Sequence, residues 1–172
     1  ADAPLKGLAV LLRAIASLRS SHPDIRLTLV GRPKPGGDTE KLIASLGLAD
    51  VVESFKGISH EEMVQKYASA SVAVVPSIYE GFGLPAVEAM ACGVPLVSTD
   101  GGALAEVVAD AGLVVPAGDS EALAAAIHQL FEDDQLRDDY ASRGLSRAEQ
   151  HFCWNRCAER MEAYYRERIA AC

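Results

Sequence analysis

Residues 80–88 of this 172-residue chain read Glu-Gly-Phe-Gly-Leu-Pro-Ala-Val-Glu, shortly after an apolar run at residues 72–75. Gly81 and Gly83 permit backbone dihedrals that side chains forbid, so main-chain N–H groups there can approach a ligand closely. The pair Leu84-Pro85 predicts a helix start, because a proline in the first helical turn loses no hydrogen bond. The stretch therefore predicts a strand, a glycine loop and a helix, with both glutamates facing one small volume.

The predicted helix start is suited to an anion. Its free amides and the positive end of the helix dipole attract a group such as phosphate. Glu80 and Glu88 flank this position as acceptors for hydroxyl groups. A phosphate together with several hydroxyls describes a nucleotide sugar, which is the ligand class that the stretch predicts.

Apolar runs and helical patterns alternate along the chain, which predicts a parallel sheet built from βαβ units. The predicted strands are residues 27–30, expected to be short and buried, 51–55, 72–75, 96–98 and 113–115. The predicted helices among them are residues 8–18, 41–46, 61–69, 85–91 and 104–109, and further helices begin near residues 120, 135 and 154. The predicted fold class is α/β, a Rossmann-like doubly wound parallel sheet with carboxyl-terminal helices. Ligands of such sheets bind beyond the carboxyl ends of the strands.

The composition predicts one domain over residues 1–172. Hydrophobic residues make up 49% of the chain, and no apolar run approaches the roughly 20 residues of a membrane span. The net charge of −8 argues against a general nucleic-acid-binding protein. Four cysteines without a CxxC pair and four histidines without metal-ligand spacing predict no metal site, and nothing indicates a cofactor. We therefore expect reduced thiols and a cytoplasmic location.

A resemblance to a known family covers nearly the whole chain. Residues 76–100, PSIYEGFGLPAVEAMACGVPLVSTD, resemble the signature of the group 1 (family 4) retaining glycosyltransferases, which is a glutamate, seven residues and a second glutamate. The similarity continues at Gly101-Gly102, residues 106–108, residues 112–116 and Gly118-Asp119, and it reaches back to Lys6-Gly7. The resemblance implies the nucleotide-sugar-binding, carboxyl-terminal half of a GT-B fold. It also implies metal-independent transfer of a hexosyl group from a nucleotide diphosphate sugar to an acceptor that the sequence does not identify.

The resemblance further implies roles for individual residues. Lys6 offers an ammonium group to the donor diphosphate and Glu80 contacts the donor sugar, which makes these two the candidate catalytic residues. Glu88 accepts hydrogen bonds from the ribose hydroxyls. The remaining donor contacts come from the loop and the helix start, at Gly81, Phe82, Gly83 and Leu84.

Two positions leave alternatives open. Ile58, in the turn after the second predicted strand, is a candidate for backbone contacts to the base, with core packing as an equal alternative. The family's nucleotide-binding half begins with a strand and a loop that carries an arginine, and no arginine occupies that position here. Arg32 either replaces it or lies on the surface.

The amino terminus departs from the family pattern, because the chain opens at Ala1 where the resemblance expects a central strand. We therefore expect a carboxyl-terminal half from which the first strand and the amino-terminal acceptor domain are absent. Buried strand edges need partners. Either the strands at 27–30 and 72–75 pair directly, or another chain donates a strand in a homodimer, or the parent protein supplies the strand ahead of Ala1.

The last predicted helix, residues 154–169, carries an apolar stripe. We expect this stripe to fold onto the domain or to meet a neighbouring chain. Its members are Trp154, Cys157, Met161, Tyr164 and Tyr165.

Other functions remain open. A noncatalytic GT-B-like interaction module is favoured by the missing arginine, and a GT-B sugar-nucleotide epimerase or phosphorylase would share the same cleft. An NAD dehydrogenase is disfavoured because no GxGxxG follows a strand. For the full-length enzyme, we keep two alternative locations: the cytoplasm alone, or a peripheral position at the inner membrane surface.

Overall fold

Within residues 3–170, which the computed structural model describes, five strands form two separate ladders. Strand β1 (Leu27–Val30) pairs with β2 (Val52–Phe55). Strands β3 (Ala73–Val75), β4 (Leu96–Thr99) and β5 (Leu113–Val115) form the second ladder in that order. Every pairing is parallel, which confirms the predicted α/β class.

The helices lie close to their predicted bounds. Helix α1 (Leu8–Leu18) precedes β1, and the helices that connect successive strands are α2 (Asp38–Ser45), α3 (His60–Ala68), α4 (Leu84–Ala91) and α5 (Leu104–Val108). After β5 come α6 (Ser120–Glu132), α7 (Asp134–Arg147) and α8 (Trp154–Ala170). A π-helical turn at Ala148–Phe152, which the periodicity did not predict, separates α7 from α8. Helix α6 begins where predicted, because the Asp119 side chain accepts hydrogen bonds from the backbone N–H groups of Glu121 and Ala122.

The second ladder separates two hydrophobic clusters. Val97 of β4 belongs to a cluster with Leu12 of α1 and Ile127 of α6. Its neighbour Leu96 belongs to a different cluster, with Met90 of α4. Because alternate residues of a strand point to opposite faces, the two clusters lie on opposite sides of the sheet, and all four residues of β4 are buried. This arrangement confirms the doubly wound sheet.

Strand β1 is not buried as the sequence predicts. Its four residues alternate between half-buried and exposed. Leu27 and its partner Val52 pack against the cluster that contains α1 and α6. Because alternate residues of a strand point to opposite faces, Thr28 and Val30 lie on the other face, and both are exposed.

The expected direct pairing of β1 with β3 is wrong, because the two ladders share no strand pairing within residues 3–170. Pro4–Lys6 form a 3₁₀ turn and do not supply a central strand. The Leu5 carbonyl accepts a hydrogen bond from the N–H of Ile78 at 2.8 Å, so this turn occupies the space beside the carboxyl end of β3. Residues 1 and 2 lie outside the described part of the chain. A strand donated by another chain stays a prediction.

Helix α8 does not fold onto the domain, which corrects one of the two expectations for it. Every described residue of α8 is exposed, and the Trp154 residue retains 88% of its accessible surface. A neighbouring chain as its partner stays a prediction. No helix within residues 3–170 is both long enough and apolar enough to cross a membrane.

The reduced state of the thiols stays a prediction. Cys92, Cys153 and Cys157 are all free thiols. Cys172 lies outside the described residues.

Candidate functional site

The Glu80 loop lies at the carboxyl end of β3 and is fixed by its backbone. The Glu80 N–H donates to the Gly101 carbonyl at 3.3 Å, and the Glu80 carbonyl accepts from the Ala103 N–H at 3.0 Å. Glu80 and Gly102 form an isolated parallel bridge. The bridge lies beyond the last pair of the β3–β4 ladder, Val75 with Ser98, so the backbone at Glu80 is held at the carboxyl edge of this sheet.

Close packing of the Gly101-Gly102 pair makes this bridge possible. A Cβ atom at Gly101 would lie 2.5 Å from the Ser77 carbonyl oxygen, and one at Gly102 would lie 2.3 Å from the Glu80 carbonyl oxygen. Gly102 also has φ of +66°, a conformation that L side chains rarely adopt. The glycine pair therefore allows the backbone after β4 to lie against the Glu80 loop.

The loop ends in the predicted helix start. Gly83 has φ of +93°, and a Cβ atom there would lie 2.7 Å from Leu104 Cδ2, so the position requires glycine. Gly81 differs from the prediction, because its φ is not in the left-handed region and a Cβ atom would have no neighbour within 4 Å. No protein contact explains the glycine at position 81, and its backbone faces open space.

Free donors remain at this helix start. Within residues 3–170, the N–H groups of Phe82, Gly83 and Leu84 donate to no protein acceptor. Gly83 provides no side-chain cap, and α4 begins at Leu84 with Pro85 in its first turn. Unpaired amides at the amino end of an eight-residue helix form a site suited to an anion.

Lys6 reaches this site from the other end of the sequence. Its Nζ lies 2.5 Å from Glu80 Oε1, and the same oxygen accepts a hydrogen bond from Ser77 Oγ at 3.0 Å. The Lys6 side chain is 53% exposed and that of Glu80 is 11% exposed. The ammonium group is therefore held by a nearly buried carboxylate while it still faces solvent.

Gly7 is the reason that Lys6 can approach so closely. It has φ of +65°, and a Cβ atom there would lie 1.8 Å from the Pro76 carbonyl oxygen. No other residue type fits against the backbone after β3 in this conformation. The Lys6-Gly7 pair of the sequence analysis therefore joins the chain start to the Glu80 loop.

Glu88 has a partner that the sequence analysis missed. Glu88 lies one turn into α4 and is exposed, and its Oε2 accepts a hydrogen bond from the Tyr67 hydroxyl at 3.2 Å. Burial, and secondly the Glu88 carboxylate, raise the pKa of Tyr67 well above its ordinary value. The hydroxyl therefore stays protonated, and it has two acceptors within reach, Glu88 Oε2 at 3.2 Å and the Pro85 carbonyl at 3.4 Å. The signal in the sequence was a tyrosine on a helix, whose hydroxyl needs a partner when buried, but the identity of that partner could not be inferred.

The remaining predicted residues lie around these groups. Phe82 is half exposed, and its ring packs edge-to-face on Phe152 at a centroid distance of 5.9 Å. Ile58 is half-buried in the turn between β2 and α3, and Arg32 is exposed just after β1. Arg32 follows β1 and Ile58 follows β2, which are strands of the first ladder, whereas Glu80 and Glu88 follow β3 of the second ladder.

Comparison with known proteins identifies related chains over this whole region. A family model described as glycosyl transferases group 1 matches residues 2–147. The chain is 45% identical over 179 aligned residues to the MMP alpha-(1->4)-mannosyltransferase of Mycolicibacterium hassiacum, and the match covers 100% of this chain and 43% of that protein.

Solved structures agree with this match. Sucrose-phosphate synthase from Thermosynechococcus elongatus superposes with a TM-score of 0.85 at 35% identity, covering 99% of this chain and 44% of that one. Anabaena HepE in complex with UDP and glucose superposes with a TM-score of 0.81 at 28% identity, covering 94% of this chain and 46% of that one. The chain thus spans less than half of each of these proteins.

Proposed function

Because the chain belongs to the group 1 glycosyl transferases, we propose that it forms the donor-binding half of a retaining hexosyltransferase. A nucleotide diphosphate sugar binds between Lys6, the Glu80 loop and the amino end of α4. The observation that carries this proposal is the contact of Lys6 with Glu80, at 2.5 Å, beside a helix start with free amides. The relatives support a hexosyl donor, since one is named a mannosyltransferase and one was solved with UDP and glucose.

Lys6 and the helix start stabilise the leaving group. An ammonium group has three N–H donors, and only one is needed for the bond to Glu80 Oε1. The other two are available to the donor diphosphate, whose negative charge increases as the bond to the sugar breaks. Donors that are in place before this charge develops contribute most to the rate. Because this positive charge comes from Lys6 and the amides of α4, we propose a metal-independent reaction.

Glu80 has two tasks in this proposal. Its Oε1 holds Lys6 and accepts from Ser77 Oγ, so the ammonium group cannot move away without breaking its ion pair with a nearly buried carboxylate. Its second carboxylate oxygen is the candidate acceptor for a hydroxyl of the donor sugar. Gly81, which has open space around its α-carbon, lets that sugar approach the backbone.

The nucleoside binds along the outer side of α4. Glu88, already oriented by the Tyr67 hydroxyl at 3.2 Å, accepts hydrogen bonds from the ribose hydroxyls. The base lies toward the turn that contains Ile58, where backbone groups provide its contacts. Retention of anomeric configuration follows if the acceptor attacks from the face that the diphosphate leaves, which is the face that Lys6 and the α4 amides define.

The acceptor binds a part of the enzyme outside this chain. We propose an amino-terminal domain for this role, because the chain spans only 43% of its mannosyltransferase relative. The exposed stripe of α8 is a candidate contact for that domain or for a second copy in a homodimer. The 172-residue chain alone is expected to bind donor and transfer no sugar. Free thiols favour the cytoplasm as its location.

A calorimetric titration tests the proposal. The chain is titrated with UDP-glucose, GDP-mannose and ADP-glucose and with the matching nucleoside diphosphates. We expect one donor site and a clear preference for one base, and we expect Glu88→Ala to weaken that binding. Absence of binding by every donor and diphosphate would contradict the proposal and support the noncatalytic interaction module instead.

A further inference from the structure

Two histidines and a glutamate converge at the end of α1 that is remote from Lys6. His22 lies in the turn after α1, and His128 and Glu132 lie one turn apart on α6. His22 Nε2 is 2.8 Å from His128 Nδ1 and 3.8 Å from Glu132 Oε1. The three possible ligand atoms all lie within 4.8 Å of one another. Their positions in the sequence did not indicate this cluster.

Packing of α1 against α6 brings the three side chains together. Leu12 and Ile15 of α1 share a buried cluster with Leu123 and Ile127 of α6. Because His128 directly follows Ile127, the imidazole lies at the rim of this cluster, next to the turn that carries His22.

The ring of His22 is held in place before any ligand binds. Its backbone N–H donates to the Leu18 carbonyl at 2.8 Å, and its own carbonyl accepts from the Ile25 N–H at 3.1 Å. Phe131 packs edge-to-face on the imidazole at a centroid distance of 5.1 Å. The His22 side chain is only 17% exposed, whereas that of Glu132 is 62% exposed. The His22 imidazole is therefore nearly fixed, whereas the Glu132 carboxylate can change its orientation.

We propose that His22 Nε2, His128 Nδ1 and Glu132 Oε1 bind a divalent transition-metal ion of the zinc class, with water completing the coordination. Two imidazoles and one carboxylate suit Zn²⁺ and its neighbours, whereas Mg²⁺ and Ca²⁺ prefer oxygen ligands only. In a tetrahedral zinc site with bonds of about 2.0 to 2.1 Å, neighbouring ligand atoms lie roughly 3.3 Å apart. The separations from His22 Nε2, 2.8 Å to His128 Nδ1 and 3.8 Å to Glu132 Oε1, lie on either side of this value, and all three ligand atoms lie within 4.8 Å of one another, so side-chain rotations can bring them to bonding distance of one ion.

Metal binding replaces a hydrogen bond between the two rings. At 2.8 Å, one of the two facing nitrogens carries the hydrogen and the other accepts it. An ion between them needs a lone pair from both. The hydrogen therefore moves to the outer nitrogen of its own ring, leaving neutral tautomers with protons on His22 Nδ1 and His128 Nε2. No net proton loss from the two rings and no redox step is required.

The site is separate from the donor site. Lys6 precedes α1 and His22 follows it, and a helix of 11 residues is about 16 Å long. The ion would therefore join the end of α1 to the end of α6 without contacting the nucleotide sugar. We expect a gain in stability and no change in donor affinity.

Titration of the chain with Zn²⁺ and Co²⁺ tests this inference. We expect one ion per chain, and a rise in Tm of roughly 5 to 10 °C with Zn²⁺ at about 100 times its dissociation constant. The Co²⁺ spectrum should show d–d bands without a thiolate charge-transfer band, which excludes binding through Cys153 and Cys157.

Matched variants identify the ligands. His128→Gln and Glu132→Gln should each lower the affinity at least about tenfold, since even groups that only orient a ligand contribute that much. His60→Gln, an exposed histidine on α3, is the control and should bind normally. Glu132→Gln changes an exposed side chain and leaves the fold intact, so its result stands even if a histidine variant unfolds. Absence of binding, binding that survives His128→Gln, or a thiolate band would overturn the proposal.

Discussion

The ammonium nitrogen of Lys6 lies 2.5 Å from Oε1 of Glu80, although 74 positions separate the two residues in the sequence. Glu80 is nearly buried, and Ser77 Oγ donates to the same oxygen at 3.0 Å. Glu80 precedes the first residue of α4 by four positions, and the amides at the amino end of that helix are free. The ammonium group of Lys6 is thus held in a defined place by Glu80.

Lys6→Ala should weaken the binding of nucleoside diphosphates roughly 10- to 100-fold, because a hydrogen bond to a charged group contributes about 1.5 to 3 kcal/mol. Binding of the free nucleoside should change little. Calorimetric titration of both ligands measures the difference, with Lys41→Ala on the exposed face of α2 as the control. Equal losses for diphosphate and nucleoside would refute a contact between Lys6 and the diphosphate.

Glu88→Ala should weaken nucleotide binding by a similar factor with little effect on unfolding free energy. Glu88 is exposed, so its main partner beyond Tyr67 is the ligand rather than the core. The loss should nearly vanish for a 2′,3′-dideoxynucleotide, which lacks the ribose hydroxyls. If the variant bound uridine, adenosine and guanosine diphosphates as tightly as the parent chain does, the ribose role would be wrong.

Tyr67→Phe should weaken nucleotide binding roughly two- to tenfold, because a hydrogen bond contributes about 0.5 to 1.5 kcal/mol. The tyrosine hydroxyl donates to Glu88 Oε2 at 3.2 Å and does not need to touch the ligand. In a double variant with Glu88→Ala, the phenylalanine should therefore have no further effect on affinity. Additive losses in that double-mutant cycle would show that Tyr67 acts independently of Glu88.

Gly7→Ala should destabilise the chain by about 4 kcal/mol, a large value that reflects a backbone clash in addition to strain. Its Cβ would lie 1.8 Å from the Pro76 carbonyl oxygen. Gly57 is a matched control, because it has nearly the same φ, +69°, with no atom within 4 Å of its added Cβ. Gly57→Ala should cost only about 1 to 2 kcal/mol. Urea unfolding measures both, and equal costs would show that the contact with Pro76 does not matter.

Met161→Ala should change the unfolding free energy of this chain by less than about 0.5 kcal/mol, since substitutions on an exposed surface have small effects. Met161 is 53% exposed on α8, whereas Met90 of α4 is 0% exposed. Met90→Ala should cost about 2 to 5 kcal/mol, the usual cost of a buried cavity. A large loss of stability for Met161→Ala, measured by thermal unfolding, would mean that α8 packs onto the domain after all.

Local signals determined most of the secondary structure. The period-3.6 pattern of α1, the short apolar runs of the strands and the Asp119 cap of α6 all predict structure from residues a few positions apart. The loop after β3 could be predicted for the same reason, since two glycines permit a turn and a proline favours a helix start at nearby positions. Gly81 is the exception. The sequence predicts an unusual backbone conformation there, but glycine also adopts ordinary conformations, and the φ of Gly81 is not in the left-handed region.

Tertiary structure alone decided which distant residues meet. The contacts of Lys6 with Glu80, of Tyr67 with Glu88 and of His22 with His128 span 74, 21 and 106 positions. Periodicity reports which face of an element is apolar, and it does not report which polar side chains from two packed elements end side by side. The division between the β1–β2 ladder and the β3–β4–β5 ladder is of the same kind, because strand pairing depends on hydrogen bonds between segments that the chain brings together only on folding. The sequence by itself therefore determines the family signature and the alternation of strands and helices. The packing of distant elements decides the ion pair at the candidate donor site and the histidine cluster.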